Sequence, residues 1–190
     1  FISFFMKQNM VRYFFHHLML LVGGVGALTL FRYLGFKSKS TILAFLGAVF
    51  YVLNLGTIQI FALPFEPFSI FFASLPWLVF VFLDYVENPG HPKKSLRSFV
   101  IVNVLSTPAF YQQALFLVYL IFLAFLFLGL IIKTLIDKQK NRLMIYFKNL
   151  FFSLIIIFAV NSFWLLPQFY TVRFSANVTK QSKINQLATE

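Results

Sequence analysis

Apolar stretches long enough to cross a lipid bilayer recur along the whole chain, and they limit what it can fold into. Of its 190 residues, 60% are hydrophobic and 11% are charged, and the mean hydropathy is +0.84. A bilayer core of roughly 30 Å needs about 20 apolar residues in a helix, whose backbone groups are satisfied internally. A cleaved signal peptide does not explain stretches that continue far beyond the N-terminus. The sequence therefore predicts an all-α, polytopic transmembrane helical bundle in the cell membrane (plasma or inner), surrounded by the lipid bilayer.

About six membrane segments are expected, with one of them short or broken. They cover residues 13–31, 41–63, 68–86, 98–107, 112–132 and 149–167. The fourth covers only about half of the bilayer core at a rise of roughly 1.5 Å per residue. We therefore expect it to continue through Pro108 as a kinked helix or to end inside the protein. Pro167 is expected to stop the last helix, so residues 1–170 are predicted to be the membrane region and 171–190 to begin an extracytoplasmic segment.

The basic residues predict the orientation. The alternate connections 32–40, 87–97 and 133–148 hold 11 of the 16 Lys and Arg residues, whereas the connections near Pro64 and Pro108 hold none. Cytoplasmic connections of membrane proteins carry an excess of Lys and Arg, so these three are predicted to be cytoplasmic. The net charge of +11 suits anionic lipid headgroups, and we expect no nucleic acid partner.

Residues 51–70, "YVLNLGTIQIFALPFEPFSI", interrupt this apolar sequence with polar side chains and prolines. We expect the second helix to break at Pro64 and the turn after it to line a wet pocket near the outer membrane face. Asn54, Gln59 and Glu66 would then bind substrate by hydrogen bonds. The alternative is a solvated hairpin between two spans.

The turn after Pro108 is expected to form another wall of this pocket, with Asn103 and Gln112 facing the protein. Gln112 is accordingly a further candidate for substrate binding. The histidines His16 and His17 point about 100 degrees apart on a helix, which does not suit a metal site. They are interpreted as an interfacial polar patch, with proton transfer as the alternative.

Other features of the sequence favour structure over chemistry. Gly23, Gly24 and Gly26 lie inside an apolar span, where small residues permit close helix packing. The chain has no Cys, which excludes thiolate metal sites and cysteine nucleophiles. No metal site is predicted, and no strong catalytic motif occurs.

The order of these elements resembles a known family. "LFRYLGFKSKSTILAFLGAVFYVLN", a polar outer turn, "LPWLVFVFLDYV", "STPAFYQQALFLVYLIFL" and "NSFWLLPQFY" follow one another along nearly the whole chain. This order is similar to the later membrane helices of GT-C-type polytopic membrane glycosyltransferases, particularly the bacterial arabinofuranosyltransferase and YfhO-like membrane proteins. The chain, which opens at Phe1, is then expected to be an internal fragment.

The resemblance implies transfer of a sugar from a polyprenyl-phosphate-linked donor to an extracytoplasmic glycan, lipid or protein. In that family the catalytic acid typically lies in the first extracytoplasmic loop, which this sequence does not contain, so the catalytic residues and any cofactor stay unknown. Two other classes remain open. Broken helices with polar residues also build transporter and flippase sites, and a non-catalytic scaffold can keep the same fold.

Overall fold

The computed structural model describes residues 8–35, 41–62, 65–87, 92–138 and 140–180, which form an all-α helical bundle. Their helices are α1 (Gln8–Tyr33), α2 (Thr41–Leu53), α3 (Leu55–Ala62), α4 (Glu66–Glu87), α5 (Pro92–Phe110), α6 (Gln113–Ile136) and α7 (Lys140–Lys180). Five stretches are long and apolar enough to cross a membrane: Met10–Tyr33, Thr41–Gln59, Glu66–Glu87, Gln113–Ile136 and Arg142–Phe174. The predicted fold class is confirmed, and these stretches are typical of a membrane protein.

Helix α4 forms the centre of the bundle. It packs against α1 and α5 along its length and also contacts α3, α6 and α7. Of its most apolar stretch 67% is buried, against 17% in the corresponding stretches of the second and last spans. Its fully buried side chains, Leu78, Phe82 and Val86, share one core with Phe99 of α5 and Tyr119 of α6. The remaining helices present much of their apolar surface outward, as lipid-facing helices do.

Glycines let α1 approach α4 closely. A Cβ at Gly23 would lie 2.6 Å from the ring of Phe72, and one at Gly26 would lie 2.6 Å from Trp77 Nε1. The Trp77 ring instead occupies this space and donates a hydrogen bond to the Val22 carbonyl at 3.1 Å. The predicted packing role of the glycines in α1 is therefore confirmed.

A proline inside α4 is compensated by a neighbouring helix. Pro76 has no N–H, so the carbonyl of Phe72 four residues earlier loses its usual donor. The Tyr51 hydroxyl of α2 donates to that carbonyl at 2.7 Å, and the two aromatic rings stack with centroids 4.5 Å apart. In lipid, a freed backbone group needs a partner from the protein, and Tyr51 supplies it.

Two prolines lie inside helices. Helix α5 has 19 residues and includes Pro108, so of the two expected alternatives it is continuation through Pro108 that occurs. Helix α7 continues through Pro167 to Lys180, so the prediction that Pro167 stops it is wrong. Its 41 residues span roughly 60 Å, about twice the bilayer core, and α7 therefore extends beyond the hydrocarbon region. Residues 181–190 of the predicted tail lie outside the described residues.

Side-chain contacts place the helix ends. Arg12 near the start of α1 pairs with Glu66 at the start of α4, and we call this the His16 end. Tyr33 and Glu87, the last residues of α1 and α4, are joined by a hydrogen bond, and Glu87 also pairs with Lys133 in the last turn of α6. We call this the Glu87 end. Helices α1, α4 and α6 therefore run in the same direction, which agrees with the alternation that the basic residues predicted.

Candidate functional site

Polar side chains of α1 and α4 meet at the His16 end. Arg12 Nε lies 2.7 Å from Glu66 Oε1, and the two side chains are 51% and 44% exposed. Glu66 opens α4, where the N-terminal backbone amides and the helix dipole favour a carboxylate. Pro67 follows it in the first turn, where a missing N–H leaves no hydrogen bond unmade. The ion pair is thus positioned by the way α4 begins.

One turn farther along the contact between α1 and α4, a histidine is buried. His16 is 3% exposed and Ser69 is 0% exposed, and His16 Nδ1 lies 2.7 Å from Ser69 Oγ. Ser69 Oγ can also donate to the Phe65 carbonyl at 3.5 Å. The spacing of Arg12 and His16, four residues apart, puts both on the face of α1 that meets α4.

The second ring nitrogen of His16, Nε2, is buried and has no hydrogen-bond partner among the described residues, whichever tautomer the ring adopts. The ring lies between Phe15 and Phe61, with centroid distances of 5.7 and 6.4 Å. A buried nitrogen without a partner is uncommon and points to function. His16 can accept a hydrogen bond from a ligand hydroxyl, or donate one, at this position.

An apolar groove lies one turn farther along α1 and α4 than this cluster. It has a volume of about 390 Å³ and is bounded by α1, α4 and α5, with Met19, Val22, Ile70, Trp77, Val102 and Leu105 in its lining. We call it the Met19 groove. Met19 lies on the α1 face that carries Arg12 and His16, because these positions are separated by four and three residues. The site therefore has a polar head at one end of the bundle and an apolar extension in the membrane region.

The second span has a helix break at Asn54, between α2 and α3, whereas the predicted break lies ten residues later at Pro64. The Asn54 amide nitrogen bonds the Tyr51 carbonyl and the Thr57 hydroxyl at 2.8 and 2.9 Å, and its oxygen accepts the Thr57 N–H at 3.0 Å. Asn54 thus caps α3 and satisfies the last turn of α2. The break directs α3 so that Phe61 reaches His16. Pro64 lies outside the described residues.

The other residues that the sequence predicted for the pocket do not all lie in this cluster. Glu66 belongs to the cluster, whereas Gln59 is exposed on α3. Asn103 is 0% exposed and bonded to Tyr119 at 3.3 Å, which confirms that it faces the protein. Gln112 is exposed, so the prediction that it faces the protein is wrong. Its carbonyl accepts the Leu115 N–H at 2.9 Å at the start of α6.

Sequence reasoning missed Arg12 and Ser69 and favoured an interfacial patch for His16. One signal was present in the sequence. Arg12 and His16, at i and i+4, share a helix face with Gly23 and Gly26, and small residues inside an apolar span indicate close packing on that face. Within the described ranges, no group of three or more His, Asp or Glu side chains is arranged to hold a metal ion.

Comparisons of the chain with protein-family models, with curated proteins and with solved structures found no match in any of the three.

Proposed function

We propose that this chain is part of the membrane region of a glycosyltransferase that uses a polyprenyl-phosphate-linked sugar donor. One observation carries the proposal: the Arg12–Glu66 pair and the buried His16 lie on the same α1–α4 contact as the apolar Met19 groove, whose lining begins one turn farther along α1. A lipid-linked sugar has the same division into a charged, hydroxyl-rich head and an apolar chain. The resemblance of the sequence to GT-C-type enzymes points to the same class of ligand.

The residues of the cluster have suitable chemistry for such a head. An arginine guanidinium binds phosphate through charge-assisted, often bidentate hydrogen bonds, and Arg12 is half exposed. Glu66 accepts hydrogen bonds from sugar hydroxyls, and His16 Nε2 accepts or donates one according to the tautomer of the ring. The groove volume of about 390 Å³ falls within the range of ordinary ligand pockets. These groups bind and orient a donor, and no proton-transfer step is assigned to them.

Binding of a radiolabelled polyprenyl phosphate to the protein in nanodiscs tests the proposal. Arg12→Gln should weaken binding about tenfold or more, because it removes a charge-assisted hydrogen bond. Arg142→Gln is the matched control, since Arg142 lies on α7 near the Glu87 end and is exposed. Ser74→Leu, at the lining of the Met19 groove, should also weaken binding. Equal affinity of Arg12→Gln and wild-type protein would contradict the assignment.

Transfer of the sugar in membranes containing the whole protein separates the enzyme from the transporter alternative. An enzyme of this class yields a glycosylated acceptor and releases polyprenyl phosphate, and Arg12→Gln should lower the rate of both. Movement of the donor across the membrane without formation of a glycosylated product would identify a flippase and overturn the enzymatic part of the proposal.

A further inference from the structure

The Glu87 end of the bundle holds a second groove, separate from the Met19 groove. It is lined by the end of α1, the end of α4 and the last four turns of α6, and has a volume of about 580 Å³. Tyr33, Leu83, Glu87, Phe125, Gly129 and Lys133 are in its lining. We call it the Gly129 groove. Gly129 keeps the α6 wall open, because a Cβ there would meet nothing within 4 Å.

Polar and apolar groups are segregated along this groove. Tyr33, Glu87 and Lys133 all lie in the last turns of their helices, whereas Phe122 and Phe125 lie deeper along α6. From Lys133 to Phe122 the helix rises roughly 16 Å, which is about the thickness of one leaflet of a bilayer core. A lipid of that leaflet would therefore place its headgroup at the charged residues and a chain against the phenylalanines.

Among the described residues that line the groove, the charged side chains are Glu87 and Lys133. Glu87 Oε1 lies 3.6 Å from Lys133 Nζ, and the two side chains are 24% and 68% exposed. Glu87 Oε2 accepts a hydrogen bond from the Tyr33 hydroxyl at 3.1 Å. At 3.6 Å the ion pair is longer than a charge-assisted hydrogen bond of about 2.7–2.9 Å. Both groups therefore retain capacity for a further partner.

We propose that the Gly129 groove binds one phospholipid with a phosphoethanolamine headgroup. The lipid phosphate accepts from Lys133 and its primary ammonium donates to Glu87, so each charge of the zwitterion meets its opposite. A purely anionic headgroup is less suited, because Glu87 offsets the attraction of Lys133 at this distance. A choline headgroup has the same charges but no N–H to donate to the carboxylate.

Native mass spectrometry of the protein purified from an equimolar mixture of phosphatidylethanolamine, phosphatidylcholine and phosphatidylglycerol tests this. One phosphatidylethanolamine per chain should be retained about tenfold over phosphatidylcholine, since the difference is a hydrogen bond to a charged group. Glu87→Gln should remove this preference. Asp137→Asn is the matched control, because Asp137 is an exposed acid just beyond α6 and outside the groove.

Filling the groove provides a second variant that does not change charge. Gly129→Leu projects a side chain into open space and should abolish retention of the lipid while α6 remains folded, since leucine favours helix more than glycine. Ala124→Leu, on an exposed position of α6 outside the groove, should retain it. Equal retention of phosphatidylglycerol and phosphatidylethanolamine, or unchanged retention in Gly129→Leu, would overturn the proposal.

Discussion

The two ends of α4 each hold a glutamate that pairs with a cation from another helix, but the surroundings differ. Glu66 opens the helix, lies 2.7 Å from Arg12, and has the buried His16 nearby. Glu87 closes the helix and lies 3.6 Å from Lys133, with Tyr33 as a second partner. The helix dipole favours a carboxylate at the first position and disfavours it at the second. The helix therefore stabilises Glu66 locally, whereas Glu87 depends on groups from other helices.

The grooves beside these two glutamates differ in a corresponding way. The Met19 groove lies one helical turn from His16, whose buried Nε2 has no partner among the described residues, and its lining is largely apolar. The Gly129 groove has an anion and a cation at its own mouth. The first suits a phosphorylated, hydroxyl-bearing head, and the second a zwitterionic head. The two proposed sites thus differ in chemistry and lie toward opposite ends of one helix.

The largest expected effect comes from disrupting the close packing of α1 against α4, which runs between the two ends. Gly26→Leu would drive a side chain into the Trp77 ring, which already lies 2.6 Å from an added Cβ. We expect a loss of about 3 kcal/mol in the free energy of unfolding, at the upper part of the overpacking range. Unfolding in mixed micelles with increasing SDS measures it. Gly129→Ala, with open space at the added Cβ, should not be destabilised. Equal destabilisation of both variants would contradict the close packing of α1 against α4 at Gly26.

Replacing the buried histidine should have the next largest effect. His16→Phe leaves Ser69 without its 2.7 Å partner inside the protein, and we expect destabilisation of about 2 kcal/mol. His17→Phe is the matched control, because His17 is exposed and its Nδ1 bonds the Tyr13 carbonyl of its own helix at 2.8 Å. Thermal unfolding of the two variants in detergent compares them. Similar melting temperatures would mean that His16 is an interfacial residue after all.

Neutralising the two glutamates sharpens the comparison between the ends of α4. Glu66→Gln removes an ion pair and a favourable dipole interaction, and should destabilise by about 1 kcal/mol. Glu87→Gln removes an ion pair but also an unfavourable dipole interaction, so the change in unfolding free energy should be close to zero. Both are measured by the same thermal unfolding. A larger loss for Glu87→Gln than for Glu66→Gln would show that the dipole does not distinguish the ends.

The smallest expected effect on stability belongs to a test of orientation. Cysteines introduced singly at Lys94 and Lys138, which are exposed near the Glu87 end, should be shielded from an impermeant thiol reagent in intact cells. A cysteine at Tyr111, exposed in the turn before α6, should be labelled. The chain has no native Cys to interfere. Labelling of Lys94→Cys with protection of Tyr111→Cys would invert the predicted orientation.

Much of the architecture follows from local sequence. Hydropathy over about 20 residues reports whether a helix can lie in lipid, and each of the six predicted segments contains or overlaps a helix. The positions of Lys and Arg predicted which helix ends lie together, and the Tyr33, Glu87 and Lys133 contacts agree. Asn103 was correctly expected to face the protein, because an amide in an apolar helix needs partners there.

The prolines show where local rules fail. A proline weakens a helix by removing one hydrogen bond, but packing and neighbouring donors can compensate, as Tyr51 does for the carbonyl freed by Pro76. Helix α7 continues through Pro167, where the sequence predicted its end, and α5 continues through Pro108, as one of its two expected alternatives required. Conversely, the second span breaks at Asn54, whose side chain caps the next helix. Helix ends in this protein depend on which groups are available to the backbone.

The sequence by itself determined that this chain forms apolar helices with alternating direction, because those properties depend on residues close together in the chain. Only the tertiary structure decided that His16 is buried against Ser69, fifty-three residues away, and that Arg12 reaches Glu66. The pairing of α1 with α4 brings these groups together, and it depends on Gly26 accommodating Trp77. Such a fit is a property of two surfaces, and neither segment of sequence specifies it alone.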